Sequence, residues 1–233
     1  MKTQLFLIHY AGGNCYSYQF LLPHLSAFDV HVIELPGRGK RMQESILDNF
    51  SMAIDDLYNC ISAKRNGNPF IIYGHSMGSE LGFVLTSRFE AAGNMPLHLI
   101  VSGNPGPGIR ENKNRHKMEH DDFVMELKKL GGVPDEFFES SELFEFFEPV
   151  IRADFKIIET KDDITAIRIQ TPVIALMGSE EEHHEHIDNW KNFTRGNFQS
   201  QLMEGDHFFI FKHPQKLKEV ITSRTVAPKE IIL

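Results

Sequence analysis

The chain of 233 residues is 41% hydrophobic and 24% charged, which is typical of one globular domain and not of a disordered chain. Its net charge of -8 argues against nucleic acid or an anionic membrane surface as the main partner. The 2 cysteines favour a reducing compartment, and the apolar run at residues 5–8 is too short for a signal peptide or a membrane span, so we expect a soluble cytoplasmic protein. We also expect a monomer.

The first predicted strand, residues 4–9, ends in a glycine-rich loop at residues 10–14. The glycine spacing is not that of a phosphate-binding loop, and no lysine follows at the required position. Gly12 and Gly13 could instead bend the chain so that a backbone N–H, best that of Ala11, faces a neighbouring site as one donor of an oxyanion hole. Taken alone, an ordinary strand-to-helix turn is the simpler explanation of this loop.

The second predicted strand, residues 30–35, is followed by the loop Pro36-Gly37-Arg38-Gly39-Lys40-Arg41. Its basic residues could bind an anion, but the proline and glycine content favours a solvated loop. A helix is predicted over residues 49–64, because its apolar residues recur at helical spacing.

A nucleophile elbow is predicted around Ser76. Residues 70–73 form a short apolar run typical of a buried strand, then comes Gly-His-Ser-Met-Gly, then apolar residues at helical spacing. Gly74 and Gly78 would leave out Cβ atoms where the strand and helix come close. The N–H of Met77 would be the second donor of an oxyanion hole. A plain Gly/Ser turn is the alternative.

After a predicted strand at residues 97–102, the alternation of strands and helices stops, and residues 104–165 read as short helical pieces. This segment is rich in phenylalanine, with Phe137, Phe138, Phe144, Phe146 and Phe147 close together. Extra core is one explanation. We favour a lid insertion whose apolar side chains cover an acyl chain above Ser76.

Strand rhythm returns at residues 171–177 and 198–203, with a helix predicted between them at 187–193. A final helix is predicted from His213 to about residue 225, with fraying over 227–233. Strands that alternate with helices indicate an α/β protein with a mainly parallel sheet covered on both faces.

Three catalytic candidates follow strand ends in chain order: Ser76, an acid after residues 171–177, and His207. The order Ser, acid, His is that of α/β-hydrolases, in which the histidine takes the serine proton and the acid holds the imidazole. The acid commonly lies three residues beyond the glycine that ends the strand, which is Glu181 here. Glu180 is the second candidate and Asp188 the third.

Three histidines near that acid, His183, His184 and His186, could indicate a metal site. A solvated polar loop explains them better, because no cysteine or second spaced cluster supports zinc. We therefore expect no metal.

The sequence resembles the type II thioesterases that accompany nonribosomal peptide and polyketide synthases, and the resemblance covers nearly the whole chain. Its motifs are Tyr-Ala-Gly-Gly (10–13), Pro-Gly-Arg-Gly (36–39) with Arg41, Gly-His-Ser-Met-Gly (74–78), Leu-Gly-Gly-x-Pro (130–134), Pro-x-x-Arg-Ala-Asp-Phe (149–155), Trp190 and His-Phe-Phe (207–209). The chain departs from the family at Glu181, where Asp is usual, and at His9, where Pro is usual.

The resemblance implies an α/β-hydrolase fold in one domain over residues 1–233, with Ser76 and His207 catalytic and Ala11 and Met77 as oxyanion donors. It also implies a substrate thioester on the phosphopantetheine arm of an acyl or peptidyl carrier protein, no cofactor, and a role in clearing mis-primed carriers. Asp154, inside the predicted lid, is interpreted as structural.

Two other functions stay open on the sequence. A carboxylesterase or lipase could share the fold, although the blocks around Arg38 and Arg152 argue against it. A binding protein with a degraded triad would hold acyl carriers without turnover, a hypothesis suggested by the missing Asp.

Overall fold

The computed structural model describes residues 2–109, 113–133 and 135–223. Six parallel strands form one sheet in the order β2-β1-β3-β4-β5-β6. The strands are β1 (Gln4–Ile8), β2 (Asp29–Ile33), β3 (Phe70–His75), β4 (His98–Ser102), β5 (Val173–Gly178) and β6 (Phe198–Met203). All six predicted strands are therefore confirmed, with ends that differ from the predicted ones by a few residues at most.

Side chains of the central strands alternate between two apolar cores, one on each face of the sheet. Phe6 and Ile8 of β1 pack on the face that carries the first two α-helices, whereas Leu5 and Leu7 pack on the opposite face. The α-helices are α1 (Phe50–Lys64), α2 (Met77–Ala91), α3 (His120–Leu130), α4 (Asp135–Glu139), α5 (Ser141–Glu159) and α6 (Pro214–Thr222). The predicted α/β architecture is thus confirmed.

Helix α1 starts where the sequence indicates, because the Asn49 side chain accepts a hydrogen bond from the Met52 N–H and caps the helix. The helix predicted at 187–193 is a 3-10 helix, His184–Phe193. The predicted end of the last helix at about 225, the fraying over 227–233 and Pro134 of the Leu-Gly-Gly-x-Pro motif lie outside the described residues.

Residues 104–165 contain α3, α4 and α5, as the loss of strand rhythm predicts. These helices bury a small apolar core of their own, separate from the two cores on the sheet. Its buried members are Phe123, Leu127, Phe144, Ile151 and Phe155. The phenylalanines of residues 137–147 differ in burial, because Phe144 is buried in this core while Phe146 is 57% exposed.

The expectation of a solvated loop at residues 36–41 is wrong for Arg38. This side chain is only 2% exposed, and its guanidinium forms a buried ion pair with Asp154 of α5. Arg41 is also engaged, since it pairs with Glu44 and Asp56. The loop is therefore fastened to α5 and α1.

Within the described residues, no helix combines the length and apolar character that crossing a bilayer requires.

Candidate active site

The turn between β3 and α2 holds Ser76 in a strained backbone conformation, with φ 55° and ψ -116°. Glycine is required on both sides of the serine. A Cβ on Gly74 would lie 2.0 Å from the Gly78 carbonyl oxygen, and one on Gly78 would lie 2.4 Å from that of Ile8. The Ser76 N–H donates to the Ser102 carbonyl at 2.7 Å. The predicted elbow geometry is present, with the serine at the carboxyl end of the sheet.

The loops that follow β5 and β6 are in close contact. This contact brings Glu181 and His207 to the same edge of the sheet as Ser76. A Cβ on Gly178 would lie 2.3 Å from the Asp206 carbonyl oxygen. The Ser179 N–H donates to the Met203 carbonyl at 2.7 Å. Residues after Gly178 therefore run beside the turn that carries His207.

Ser76, His207 and Glu181 form one chain of hydrogen bonds. His207 Nε2 lies 3.0 Å from Ser76 Oγ, and His207 Nδ1 lies 2.6 Å from Glu181 Oε2. The Glu181 side chain is 5% exposed and that of His207 is 21% exposed. With the proton on Nδ1 donated to the carboxylate, Nε2 is free to accept the Ser76 proton.

The longer side chain of glutamate fits because it turns back over its own loop. Glu181 Oε1 accepts the Gly178 N–H at 2.7 Å, while Oε2 reaches the histidine. The other candidate acids are engaged elsewhere or point into solvent. Asp188 accepts a hydrogen bond from Ser200 Oγ at 2.6 Å, and Glu180 is exposed. Of the three candidates, Glu181 is the one that the structure brings to His207.

His75 packs beside His207, although the sequence analysis did not select it. It is fully buried, its ring centroid lies 5.1 Å from that of His207, and its Nδ1 hydrogen-bonds to Ser102 Oγ at 2.8 Å. Burial, with a further contribution from the charge of His207, lowers the pKa of His75 well below its usual value. A neutral His75 adds no positive charge beside His207, which must itself become cationic if it accepts a proton.

Ala11 and Met77, the two predicted oxyanion donors, belong to two different segments of the chain, the turn after β1 and the first residue of α2. Met77 is the first residue of α2, so its N–H has no intrahelical partner. Ala11 lines the same cavity as Ser76 and is the second residue of a turn closed by the Gly13 N–H donating to the Tyr10 carbonyl at 2.9 Å. Met77 thus adjoins Ser76 in the chain and Ala11 shares its cavity, while their role as oxyanion donors stays a prediction.

His9, which replaces the proline usual in the resembled family, hydrogen-bonds to the first residue of this turn. Its Nε2 accepts the Leu35 N–H at 3.2 Å, so the proton is on Nδ1, which donates to the Tyr10 carbonyl at 2.7 Å. Burial, together with the nearby charge of Arg38, lowers the pKa of His9 to about 4. His9 is therefore neutral at pH 7 and bridges the ends of β1 and β2.

A cavity of about 930 Å³ opens beside Ser76 and His207. One wall is apolar and comes from α3, α4 and α5, through Leu127, Phe137, Phe147, Ile151 and Phe155. The cavity also carries a buried ion pair that the sequence did not predict. Glu80 Oε2 lies 2.5 Å from Lys161 Nζ, with side chains 9% and 3% exposed. The cavity therefore offers both an apolar wall and a buried ion pair.

The loop after β5 brings His183, Glu185 and His186 close enough that one potential ligand atom of each lies within 4.8 Å of the others. The Glu185 and His186 side chains are 58% and 51% exposed. Glu185 pairs with His186 at 3.4 Å and with His184 at 3.8 Å. Exposed acidic groups are common without a metal ion, so the absence of a metal at this cluster stays a prediction.

The chain matches the family described as Thioesterase domain over residues 3–225. The gramicidin S biosynthesis protein GrsT of Aneurinibacillus migulanus is 29% identical over 238 aligned residues, which cover 98% of this chain and 92% of the relative. The medium-chain S-acyl fatty acid synthase thioesterase of Homo sapiens is 28% identical, covering 78% of this chain and 71% of the relative.

Among solved structures, the type II thioesterase BorB from the borrelidin biosynthetic cluster has a TM-score of 0.86 and 28% identity. The match covers 96% of this chain and 93% of BorB. The likeness agrees with the predicted α/β-hydrolase fold.

Proposed function

This chain belongs to the thioesterase family, and from that premise we propose that it is a stand-alone serine thioesterase that removes acyl groups from carrier-protein phosphopantetheine arms. The observation that carries the serine mechanism is the contact chain Ser76–His207–Glu181, with distances of 3.0 Å and 2.6 Å. It lies beside a cavity of about 930 Å³ that has an apolar wall.

In the acylation step, Ser76 Oγ attacks the thioester carbonyl carbon while His207 Nε2 takes the hydroxyl proton. Glu181 keeps the proton on Nδ1 and stabilises the imidazolium that forms. The tetrahedral intermediate then collapses, the C–S bond breaks, and the thiol of the arm leaves with the proton from His207. The product of this step is an acyl ester of Ser76.

In the deacylation step, His207 Nε2 accepts a proton from water, whose oxygen attacks the acyl ester. Collapse of the second intermediate returns that proton to Ser76 Oγ and releases a carboxylic acid. Both intermediates carry a negative oxygen, for which the N–H groups of Ala11 and Met77 are the proposed donors. The N-terminal end of α2 adds a favourable dipole at the same point. No cofactor enters either step.

Carrier-bound acyl groups are the proposed substrates because the relatives share a biosynthetic setting. GrsT is described as a gramicidin S biosynthesis protein and BorB as a type II thioesterase of the borrelidin cluster. The proposed role is to clear acetyl or stalled acyl groups from mis-primed carrier domains. Residues 104–165 would serve as a lid insertion on a single domain, because their apolar wall lines the cavity beside Ser76.

Mass spectrometry of intact carrier protein loaded with acetyl or medium-chain acyl groups tests this function. Wild type should remove the acyl group, and Ser76→Ala should slow its removal at least about a thousandfold. Ser62→Ala, which alters an exposed serine on α1, is the matched control and should retain wild-type rates. Equal rates for wild type and Ser76→Ala would contradict the serine mechanism.

The same assay separates the rival functions. A carboxylesterase would leave every acyl carrier intact while it cleaved a simple oxygen ester. A binding protein would cleave neither substrate yet retain the carrier. The complete contact chain through Glu181 argues against a degraded triad.

A further inference from the structure

Asp154 and Arg38 form a buried ion pair that also contacts the turn of residues 10–13. The Asp154 side chain is 0% exposed and that of Arg38 is 2% exposed. Asp154 Oδ2 lies 2.5 Å from Arg38 Nη1, and Oδ1 lies 2.8 Å from Nη2. Oδ2 also accepts the Gly12 N–H at 2.7 Å, while Arg38 Nη1 donates to the Gly13 carbonyl at 3.3 Å. Each partner of the pair therefore holds one backbone group of the turn.

These contacts enclose Ala11 between two fixed points. On one side, the Tyr10 carbonyl accepts hydrogen bonds from His9 Nδ1 and from the Gly13 N–H. On the other side, the Gly12 N–H is held by the ion pair. The Ala11 N–H belongs to the peptide that contains the Tyr10 carbonyl. Its direction is therefore set by a turn that is closed from both ends.

Helix α5 also packs directly on the turn. Gly12 has φ +76°, and a Cβ at this position would lie 3.1 Å from Ile151 Cγ1. Because Ile151 and Asp154 lie three residues apart on α5 and are both buried, this helix contributes both an apolar contact and a charged anchor. The same helix lines the cavity through Phe147 and Phe155.

We propose that the Arg38–Asp154 pair is a positioning device that holds the turn of residues 10–13, so that the Ala11 N–H points at the oxyanion. This inference rests on the proposed function, in which Ala11 is an oxyanion donor. It assigns Asp154 and Arg38 as positioning residues, although neither touches the substrate, and it makes α5 part of the catalytic geometry.

A purely structural role is a weaker explanation of the pair. Removing two charges from water costs free energy that their mutual attraction often does not recover, so a buried ion pair is poor evidence of stabilisation. Apart from their bonds to each other, the two side chains hydrogen-bond, within the described part of the chain, to two consecutive residues of one turn, Gly12 and Gly13. That arrangement fixes a backbone direction, which is what oxyanion stabilisation requires.

The test uses full-length Asp154→Asn, which preserves shape but removes the carboxylate charge. An oxyanion donor acts mainly in the transition state, so kcat per active site should fall about tenfold to a hundredfold with little change in KM. An alkylboronic acid, which forms a tetrahedral adduct with the serine, should bind more weakly by a similar factor. Titration with a fluorophosphonate gives the concentration of active sites.

The matched control is Asp56→Asn. It removes the paired carboxylate of Arg41, three residues beyond Arg38 on the same loop, where the two distances are 2.6 Å and 2.8 Å. Asp56 has no contact with the turn among the described hydrogen bonds. Its kcat and boronate affinity should stay within about twofold of wild type.

Arg38→Lys is the second variant, in case Asp154→Asn does not fold. It keeps the positive charge and the Asp154–Gly12 hydrogen bond but loses the paired guanidinium contacts, so kcat should fall by a smaller factor. Folded Asp154→Asn with wild-type kcat and boronate affinity would overturn this inference alone. Loss of folding in both variants would also overturn it, as the pair would then be structural. Wild type that hydrolyses no thioester would overturn the proposed function and this inference together.

Discussion

The two backbone segments beside Ser76 are fixed by different means. The elbow is held by its own glycines, since Gly74 and Gly78 allow backbone approaches that a Cβ would block. The turn of residues 10–13 is held by side chains distant in sequence, with Asp154 lying 142 residues from Gly12. One proposed oxyanion donor thus depends on local chain geometry, and the other depends on a long-range ion pair.

Because of this difference, mutations in the two segments should disturb different properties of the protein. A change in the elbow alters the contact between β3, α2 and the end of β1, which is part of the sheet core. A change in the Arg38–Asp154 pair can leave the sheet intact while the turn moves. We therefore expect elbow variants to lose folded protein, and turn variants to lose catalytic rate.

The largest expected effect lies outside both segments, at Glu181, which follows β5 and hydrogen-bonds to His207. Glu181→Gln should lower kcat about 10³- to 10⁴-fold, because a neutral amide no longer fixes the tautomer or stabilises the imidazolium. Steady-state kinetics on an acyl thioester measures this loss.

Glu180→Gln is the matched control, because it makes the same change one residue earlier, at an exposed side chain. It should change kcat by less than about twofold. Equal losses in the two variants would mean that Glu181 has no special role.

The next largest effect is expected for Gly78→Ala, which tests the backbone constraint at the elbow through the stability of the protein. The added Cβ would lie 2.4 Å from the Ile8 carbonyl oxygen and 2.8 Å from that of His9. Because backbone must move to relieve this clash, the free energy of unfolding should fall by more than about 3 kcal/mol. Urea denaturation followed by the fluorescence of Trp190, the 1 tryptophan of the chain, measures the change.

Gly82→Ala is the control for that variant, since Gly82 lies on the same helix. Its nearest neighbour is a side-chain atom, Ile72 Cγ2, at 3.3 Å. The gain in helix propensity of about 1 kcal/mol should roughly offset the tight contact. A Gly78→Ala protein as stable as Gly82→Ala would refute the backbone constraint.

The smallest expected effect is on the pH dependence of stability and concerns His9, which hydrogen-bonds to Tyr10 of the turn. Its pKa falls from 6.5 to about 4 on folding. Between these values the unfolded chain binds a proton that the folded protein does not, so stability is complete above the unfolded pKa and is lost as pH falls. At about pH 5 the loss from this residue should be about 2 kcal/mol.

His9→Gln removes that titration while an amide can still donate and accept. Its free energy of unfolding should fall less than that of wild type between about pH 7 and about pH 5. Buried His75 titrates in the same direction, so some pH dependence remains in the variant. Parallel curves for the two proteins would show that His9 does not contribute.

The elbow, the parallel sheet and Glu181 could be predicted from sequence because each depends on short spacings. Buried strands give apolar runs, the elbow needs glycine two residues on either side of the serine, and the acid follows Gly178 by three residues. The burial of Arg38 could not be predicted, because its partner Asp154 lies 116 residues away. Without that partner, an arginine between glycines indicates a solvated loop. The packing of His75 beside His207 was missed because it depends on how the ends of β3 and β4 lie next to the loop after β6.

The most direct test of the serine mechanism is to quench the reaction with acid during the first turnover of an acyl-loaded carrier and to measure the mass of the enzyme. An acyl adduct on the peptide that contains Ser76, absent from Ser76→Ala, is the predicted result. Release of free acid with no adduct, at the same rate in wild type and Ser76→Ala, would contradict it.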